Sequence, residues 1–412
     1  MKKKILFVYD SMMIGGTTTA LLSFINTIDR SKYEISLLLY VNTGAMMGEI
    51  PGYVKLLPSA YKESKFLSSG QRKIVKTILN GRAFLAFKSL LKYRNTPKGN
   101  FRHILMHYGM AAQVSLSRVV DEQFDYAIGF MEGWSNEYVV SSKIKADRKF
   151  VWVHPQYKSS YLLPEIDRKT FDKADGIALI SKNCLEQFFE FFPEYQQKTY
   201  VVPNIMSSDL VLQKAGKCHV TLMRAKINFC TVCRCDIKVK GLDRLLKAFY
   251  ELKQQGLTKD VIWHFIGGGG EFEQFKQEVD SLEMNDTILL YGNKLNPLPY
   301  LQQMDVFVLA SRYEGKPVSV TEAQILGLPC LVTDYDSAIS QVQNQVNGVI
   351  MKNDYNSIYE TIKAVIQTPE LLLKWRANTM LGLYSNEQDI QYFYKMIGTV
   401  KEGRLSESNN KH

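Results

Sequence analysis

The chain has 412 residues, which is too many for one ordinary hydrophobic core, so two or three domains are expected. Hydrophobic residues make up 46% of it and charged residues 22%, as in a globular protein, and no run approaches the roughly 18 apolar residues of a membrane span. The formal net charge of +10 makes nucleic acid and anionic membranes the partners to consider.

The first strand is predicted at residues 4–9 (KILFVY), directly after the basic start. About five apolar residues before Asp10 are too few for the apolar region of a signal peptide. A loop with Gly15 and Gly16 follows, and then an amphipathic helix over residues 17–28. This order is the opening of a Rossmann-like unit, in which N–H groups at the helix start can receive phosphate. A tight turn would use the same two glycines.

The positive charge is concentrated in one stretch, because residues 62–102 contain eleven Lys and Arg against one acid. At its centre, residues 71–94 combine a helical apolar period with basic residues. A solvated helix face and attachment to an anionic membrane surface both fit this pattern. No helix-turn-helix, RRM or zinc-finger pattern accompanies the charge, so no nucleic-acid partner is expected. The expected location is the cytoplasm, with peripheral contact at the inner membrane face under the second interpretation.

The remainder of the first half alternates strands with loops and helices. A helix is predicted to open at Ser181, and the strands are predicted at 33–40, 54–57, 124–130, 149–153, 176–180 and 198–202. The strand 149–153 delivers His154 to the carboxyl edge of a parallel sheet, where open α/β folds bind ligands. A histidine kept for structural reasons is the alternative interpretation.

The pattern becomes irregular at residues 206–225, which we interpret as a linker, and strands and helices then resume. Strands are predicted at 228–232, 261–266 and 288–291, and helices at 241–254, 271–282 and 300–304. Four glycines follow the strand 261–266, but they lack the G-x-G-x-x-G pattern of dinucleotide binding. A dehydrogenase is therefore disfavoured.

Three of the six cysteines crowd into CTVCRC at positions 230–235. A zinc site would need a fourth ligand and a second pair, which Cys184, Cys218 and Cys330 do not offer in spacing. The sequence favours cysteines packed as small hydrophobic residues in a reducing compartment, and no metal site.

The most informative stretch is 305–334, which is predicted to form a strand, a polar loop, a helix and a second strand. Its two carboxylates, Glu314 and Glu322, are eight positions apart, about two helical turns, so they can point to one side. Another strand is followed by the cations Arg234, Lys238 and Lys240. Cations beside paired carboxylates suit a ligand that carries both a diphosphate and sugar hydroxyls.

These residues resemble a known family. SRYEGKPVSVTEAQILGLPCLVTD, from Ser311, is similar to the E-x7-E signature of retaining, nucleotide-sugar-dependent glycosyltransferases of family 4, which have the GT-B fold. VCRCDIKVKGLDRLLKAF resembles that family's Arg, spacer and Lys-Gly segment, WHFIGGGGEFEQFK its glycine turn, and NQVNGVI its later N-G segment. These blocks occur in the family's order.

The resemblance implies an α/β fold of two Rossmann-like domains facing across a cleft. Residues 1–205 would bind the acceptor and residues 226–385 the nucleotide sugar, with the linker 206–225 between them. Residues 386–412 would form a C-terminal helix and tail that pack back toward the N-terminal domain.

The same resemblance implies roles for single residues. Glu322 would bind the ribose hydroxyls and Glu314 the donor sugar, and His154 would face the sugar and acceptor. Arg234 and Lys240 would hold the diphosphate and stabilise the charge on the departing nucleotide. The phosphate cradle would be completed by the two N-terminal glycines and one loop: Gly15, Gly16, Gly315, Lys316, Pro317 and Val318.

Two departures leave questions open: Lys238 competes with Lys240 for the phosphate role, and Lys316 stands where the family often carries Phe. The nucleotide-diphosphate sugar would be a co-substrate, and no cofactor or metal is expected, because Arg and Lys can replace a metal. The expected acceptor is a glycan or lipid-linked glycan in cell-surface polysaccharide or glycoconjugate synthesis. A non-catalytic sugar-nucleotide-binding or partner subunit of a glycosyltransferase complex is the alternative. An epimerase is disfavoured because such enzymes do not normally carry this E-x7-E block.

Overall fold

The computed structural model describes residues 2–61, 109–111, 113–155, 157, 163–223, 225–380, 382 and 384–398. The basic segment 71–94 lies outside these residues, so its predicted helix and membrane contact stay predictions. The chain divides into two compact units. The first comprises Met1–Met13, Ile28–Pro203 and Ile390–His412, and the second comprises Ile14–Thr27 and Asn204–Asp389.

The strands are short runs rich in β-branched and aromatic residues, which favour extended backbone. In chain order they are β1 (Lys3–Tyr9), β2 (Tyr33–Leu39), β3 (Lys55–Leu56), β4 (Val120–Gly129), β5 (Ile144–Val153), β6 (Gly176–Leu179), β7 (Thr199–Val201), β8 (Ile227–Val232), β9 (Val261–Ile266), β10 (Ile288–Leu290), β11 (Val306–Leu309), β12 (Cys330–Thr333) and β13 (Gly348–Met351).

The α-helices with defined bounds are α1 (Gly16–Thr27), α2 (Trp134–Val139), α3 (Pro164–Lys173), α4 (Lys182–Phe191), α5 (Ser208–Ala215), α6 (Leu242–Gln254), α7 (Phe272–Ser281), α8 (Leu298–Leu301), α9 (Val318–Ile325), α10 (Ala338–Gln341), α11 (Tyr355–Gln367), α12 (Glu370–Met380) and α13 (Ile390–Gly398). Several start at a capping side chain. The side-chain oxygen of Ser181 accepts the Cys184 N–H at the start of α4, and that of Asp354 accepts the Ser357 N–H at the start of α11.

Within the described residues, the first unit holds a sheet of seven parallel strands in the order β3-β2-β1-β4-β5-β6-β7. The order reverses between β1 and β4, which makes the carboxyl ends of these two strands the topological switch point. The central strands are buried along their carboxyl-terminal halves, because helices on a doubly wound sheet cover both faces. Asp10 and Phe130 directly follow the two strands at the switch point.

The second unit repeats this plan with six parallel strands within residues 225–380, in the order β10-β9-β8-β11-β12-β13. Its core is built on aromatic side chains. Trp263 of β9 and Phe249 of α6 stack with ring centroids 5.2 Å apart, and Phe229 meets Phe249 edge to face at 5.3 Å. The switch point of this sheet lies between β8 and β11.

The stretch predicted as an irregular linker contains α5. The Ser207 side chain caps this helix by accepting the Leu210 N–H, and Val211 and Ala215 are buried against Leu298 in a small apolar cluster. Val211 and Ala215 are the two residues of α5 that are buried. So few buried apolar positions give little helical periodicity, which is why the sequence did not predict this helix. The short helix predicted at 300–304 lies instead at α8.

Candidate active site

The switch point of the second sheet brings together two loops that are far apart in the sequence. One follows β8 and runs from Cys233 to Gly241, and the other follows β11 and runs from Ala310 to Pro317. Carboxyl ends of neighbouring parallel strands form the ligand crevice of open α/β folds. The cations and carboxylates predicted for the site sit on these two loops and on the helix that follows.

Lys240 and Glu314 form the central ion pair. The Lys240 Nζ donates to Glu314 Oε1 at 2.6 Å, and the two side chains are 17% and 11% exposed. The Ser311 hydroxyl donates to the same oxygen at 2.6 Å. The Thr333 hydroxyl donates to the Ser311 carbonyl, which anchors this loop on the end of β12. The Glu314 carboxylate is thus held in one orientation by side chains from both sides of the switch point.

Gly241 lets the two loops approach each other. Its φ of +66° is the left-handed region, and a Cβ at this position would lie 1.9 Å from the Ala310 carbonyl oxygen. Arg312 strengthens the junction by donating to both carboxylate oxygens of Asp243 at 3.0 Å. The Lys-Gly step therefore places Lys240 beside the loop of Glu314, because only glycine fits between them.

Lys238 pairs with a different carboxylate from Lys240, and this distinguishes the two candidate lysines. Its ammonium group pairs with Asp243 at 2.9 Å, and its side chain is 78% exposed. Arg234 is also mainly solvent-facing, with a 71% exposed side chain 3.5 Å from Asp236. Lys240 is therefore the lysine that the fold places with the carboxylate.

The Cys233 thiol is sensitive to the charges of the site. Its pKa is raised to about 12, mainly by burial; the charges of Lys240 and Arg234 oppose that rise, and the charge of Glu314 adds to it. All six cysteines are free, and no group of three or more His, Cys, Asp or Glu within the described ranges is placed to hold a metal ion.

Glu322 lies on α9 and is buried. Burial raises the pKa of its carboxyl to about 7, and the charge of Lys214 on α5 partly opposes this. Because α9 begins at Val318, Glu314 lies in the loop before the helix and Glu322 lies on it, as the sequence predicted. A loop residue and a helix residue provide the two carboxylates.

The predicted phosphate cradle comes from two helix starts within the second unit. Gly16 is the first residue of α1 and Val318 the first of α9, and a Cβ on Gly16 would lie 3.9 Å from the Val318 side chain. Gly15 and the 315–317 loop directly precede these helices. Unpaired N–H groups of helix starts attract anions.

Lys316 lies in the loop directly before α9. It lines a cavity of about 270 Å³ in the second unit, and burial lowers the pKa of its ammonium group, with Asp389 opposing. The cavity wall is largely polar and includes Asn204, Thr321, Gln324, Gln341, Tyr384 and Asp389.

His154 follows β5 in the first unit and is buried, which lowers its pKa to about 3 and keeps the imidazole neutral near pH 7. The carboxylate of Glu132 lies 3.9 Å from its Nδ1 atom. At the same sheet edge, the Ser135 hydroxyl donates to Asp10 at 3.0 Å. The sequence reading identified His154 and missed Glu132.

The sequence did not predict several residues that position the site. Ser311, Arg312 and Asp243 are described above, and Arg244 is a fourth. This guanidinium is buried and donates to the carbonyl oxygens of Ala310 and Asn353. An arginine on the apolar face of a predicted amphipathic helix was the available signal, because a charge at such a position needs nearby acceptors.

The fold is that of a GT-B glycosyltransferase structure. TarM from S. aureus superimposes with a TM-score of 0.67 at 12% identity, over 96% of this chain and 100% of that chain. The prediction of an α/β fold with two Rossmann-like sheets is therefore confirmed. No helix among the described residues is both long and apolar enough to cross a membrane.

A family model matches most of the second unit. Residues 226–381 match the family model of glycosyl transferases group 1. These residues contain both loops of the switch point and Glu322. The glycosyltransferase resemblance of the sequence motifs thus agrees with an independent match over the same segment.

Two proteins with similar sequences are named as transferases of sugars. An uncharacterized glycosyltransferase of Methanocaldococcus jannaschii is 26% identical over 226 residues, which is 52% of this chain and 55% of that protein. The UDP-Gal:alpha-D-GlcNAc-diphosphoundecaprenol alpha-1,3-galactosyltransferase of Escherichia coli is 30% identical over 115 residues, which is 27% of this chain and 30% of that protein. This chain spans about half or less of the length of these two relatives.

Proposed function

We propose that this protein is a retaining glycosyltransferase that moves a sugar from a nucleoside diphosphate sugar to a glycan or lipid-linked acceptor in cell-surface polysaccharide or glycoconjugate synthesis. One observation carries the proposal: Lys240, Glu314 and Ser311 form a fixed charged cluster at the switch point of the second sheet. That cluster lies inside the segment that matches glycosyl transferases group 1.

The donor would lie along the second unit. Glu322 would accept hydrogen bonds from the ribose hydroxyls, and Glu314 from the donor sugar. Lys240 and Arg234 would neutralise the diphosphate, together with the N–H groups at the starts of α1 and α9. The E. coli relative has UDP-Gal in its name, and the TarM structure is a complex that includes UDP, which supports a nucleoside diphosphate donor.

The transfer step would proceed on one face of the sugar. The bond between the sugar's anomeric carbon and the phosphate oxygen breaks, and its electron pair goes to the phosphate. The acceptor hydroxyl forms the new bond from the same face, and its proton passes to the leaving phosphate. Lys240 and Arg234 stabilise the negative charge that develops there, so no metal is needed in this proposal.

Glu314 would serve as a hydrogen-bond acceptor and not as a nucleophile. Retaining hydrolases use two carboxyl groups about 5–5.5 Å apart, one of which attacks the sugar. Here Glu314 Oε1 already accepts from Lys240 and Ser311, which fixes the carboxylate and lowers its nucleophilicity. We therefore expect no covalent sugar adduct, and mass spectrometry of a trapped Glu314 adduct would overturn this step.

The acceptor and the location follow from two similar proteins and from the basic segment. The E. coli relative's name contains a diphosphoundecaprenol-linked sugar, and the TarM complex includes alpha-GlcNAc-glycerol. With the basic composition of residues 71–94, these favour an acceptor at or near a membrane. The proposal places the protein in the cytoplasm, peripheral at the inner membrane face.

A thermal-shift panel of nucleotide sugars tests the donor first. A ligand at 100 times its Kd stabilises the folded protein by about 2.7 kcal/mol, which raises Tm by several degrees. The stabilising donor is then incubated with candidate acceptors, and nucleotide release is measured for the wild type, Glu314→Gln and the control Lys238→Ala. Binding without any release would favour the non-catalytic alternative. Release with an isomerised free sugar would favour an epimerase.

A further inference from the structure

Glu132 and His154 form a buried pair at the carboxyl edge of the first sheet, next to its switch point. Glu132 follows β4, and His154 follows β5, its neighbour in the sheet. Glu132 Oε2 accepts the His154 backbone N–H at 3.3 Å and lies 3.9 Å from His154 Nδ1. The two side chains are 12% and 11% exposed. One carboxylate oxygen therefore faces both the backbone and the ring of the histidine.

The His154 imidazole packs between two aromatic rings, and the Glu132 carboxylate faces its Nδ1 edge. The Phe130 ring lies 5.1 Å from the His154 ring at an angle of 58°, and the Trp152 ring lies 6.2 Å away and nearly parallel at 16°. Both ring nitrogens are buried, and neither has a hydrogen-bond partner among the residues that the structure describes. The tautomer of the ring thus depends on what meets Nδ1.

We propose that Glu132 is a positioning residue that sets the tautomer of His154 and thereby decides whether Nε2 accepts or donates a hydrogen bond. The geometry supports this assignment, since the Glu132 carboxylate faces Nδ1. That Nε2 meets a substrate hydroxyl rests on the function proposed above. The distance of 3.9 Å is longer than a hydrogen bond, but at this distance the charge of the ionised carboxylate still favours a proton on Nδ1.

The pair has two neutral-imidazole states that differ by one proton. When Glu132 is ionised, Nδ1–H donates to the carboxylate, and Nε2 is an acceptor for a hydroxyl. When the pair takes up one proton from solvent, Nε2 gains a proton, and the Nδ1 proton moves to the carboxylate. The Glu132 O–H then donates to Nδ1, and Nε2–H is a donor. Ionisation of Glu132 therefore changes Nε2 from a hydrogen-bond donor to a hydrogen-bond acceptor.

The surroundings of Glu132 put the change of tautomer near neutral pH. The pKa of Glu132 is raised to about 7, mainly by burial, and the carboxylates of Asp10, after β1, and Asp167, on α3, contribute to this rise. Hydrogen bonds from the Glu132 and His154 backbone N–H groups act in the opposite direction. Burial also holds the pKa of His154 near 3, so the imidazole itself does not become charged in this range.

Nitrogen NMR of the histidines tests the proposal without any substrate. The chain has six histidines, so selective ¹⁵N labelling gives few signals, and His154→Gln identifies those of His154. A nitrogen that carries a proton resonates far from one that does not. We expect the His154 proton on Nδ1 at pH 8 and on Nε2 at pH 6 in the wild type. In Glu132→Gln, which cannot ionise, the same tautomer should persist at both pH values.

Asp10→Asn is the matched control, because it removes a neighbouring charge without touching His154. This variant should keep the tautomer change and move its midpoint to lower pH. A wild-type tautomer that does not change between pH 6 and 8, or an unaltered change in Glu132→Gln, would overturn the proposal. The wild-type titration decides the matter even if a variant does not fold. Because no substrate is used, this outcome is independent of whether sugar transfer is later observed.

Discussion

Removing the Lys240 ammonium group should destabilise the protein far more than removing that of Lys238. Lys240 and Glu314 are 17% and 11% exposed, so Lys240→Ala leaves a largely buried carboxylate without its cation. A fully buried pair loses about 3–5 kcal/mol in this way, and the residual exposure here reduces the expectation to about 2–3 kcal/mol. Lys238 is 78% exposed, and an exposed pair contributes at most about 1 kcal/mol.

Urea unfolding followed by circular dichroism at pH 7 measures both losses as changes in the free energy of unfolding. Adding Glu314→Gln to Lys240→Ala removes the negative charge that Lys240 balanced, so the double variant should recover stability, with a coupling energy of about 1–3 kcal/mol. In turnover, Lys240→Ala should lower kcat by about 10²–10³, the usual effect of losing one electrostatic donor. Equal losses of stability at the two lysines would refute this reasoning.

Three further predictions follow from single contacts. Gly241→Ala should cost several kcal/mol in the free energy of unfolding because its Cβ meets a carbonyl oxygen, whereas Gly256→Ala, at φ +70° in open space, should cost only about 1–2 kcal/mol. The raised pKa of Glu322 gives stability that is present below about pH 4.5 and lost as pH rises through about 7. At pH 8, Glu322→Gln should therefore have a free energy of unfolding about 3 kcal/mol higher than that of the wild type, and a higher Tm, while binding nucleotide less tightly. Ser311→Ala should cost about 1 kcal/mol in the free energy of unfolding and lower kcat, because the Glu314 carboxylate loses one of the donors that orient it; an unchanged stability and kcat would argue against this role.

Much of the fold could be predicted because hydrophobic periodicity and glycine punctuation are local signals. The strand predicted at 261–266 has those bounds in the structure, and Ser181 caps a helix as predicted. α5 could not be recognised, because only two of its residues are buried in the apolar cluster with Leu298. Its short length and the charged residues around it resemble a coil in composition.

The candidate site was less accessible to sequence reasoning. Residue types and spacing indicated Arg234, Lys238, Lys240, Glu314 and Glu322, but could not choose between the two lysines. That choice depends on a contact across 74 positions of sequence and on a glycine that only the fold shows to be confined. Glu132 was missed because its partner His154 is reached only by pairing β4 with β5. The assigned roles of all these residues stay predictions until tested.

The configuration of the transferred sugar is the most direct test of the central claim. The donor that stabilises the protein is incubated with an acceptor, and the anomeric proton coupling of the product is measured by NMR. The product should keep the configuration of the donor, and Lys240→Ala should strongly lower the rate of its formation. A product of inverted configuration would show that the protein is not a retaining glycosyltransferase.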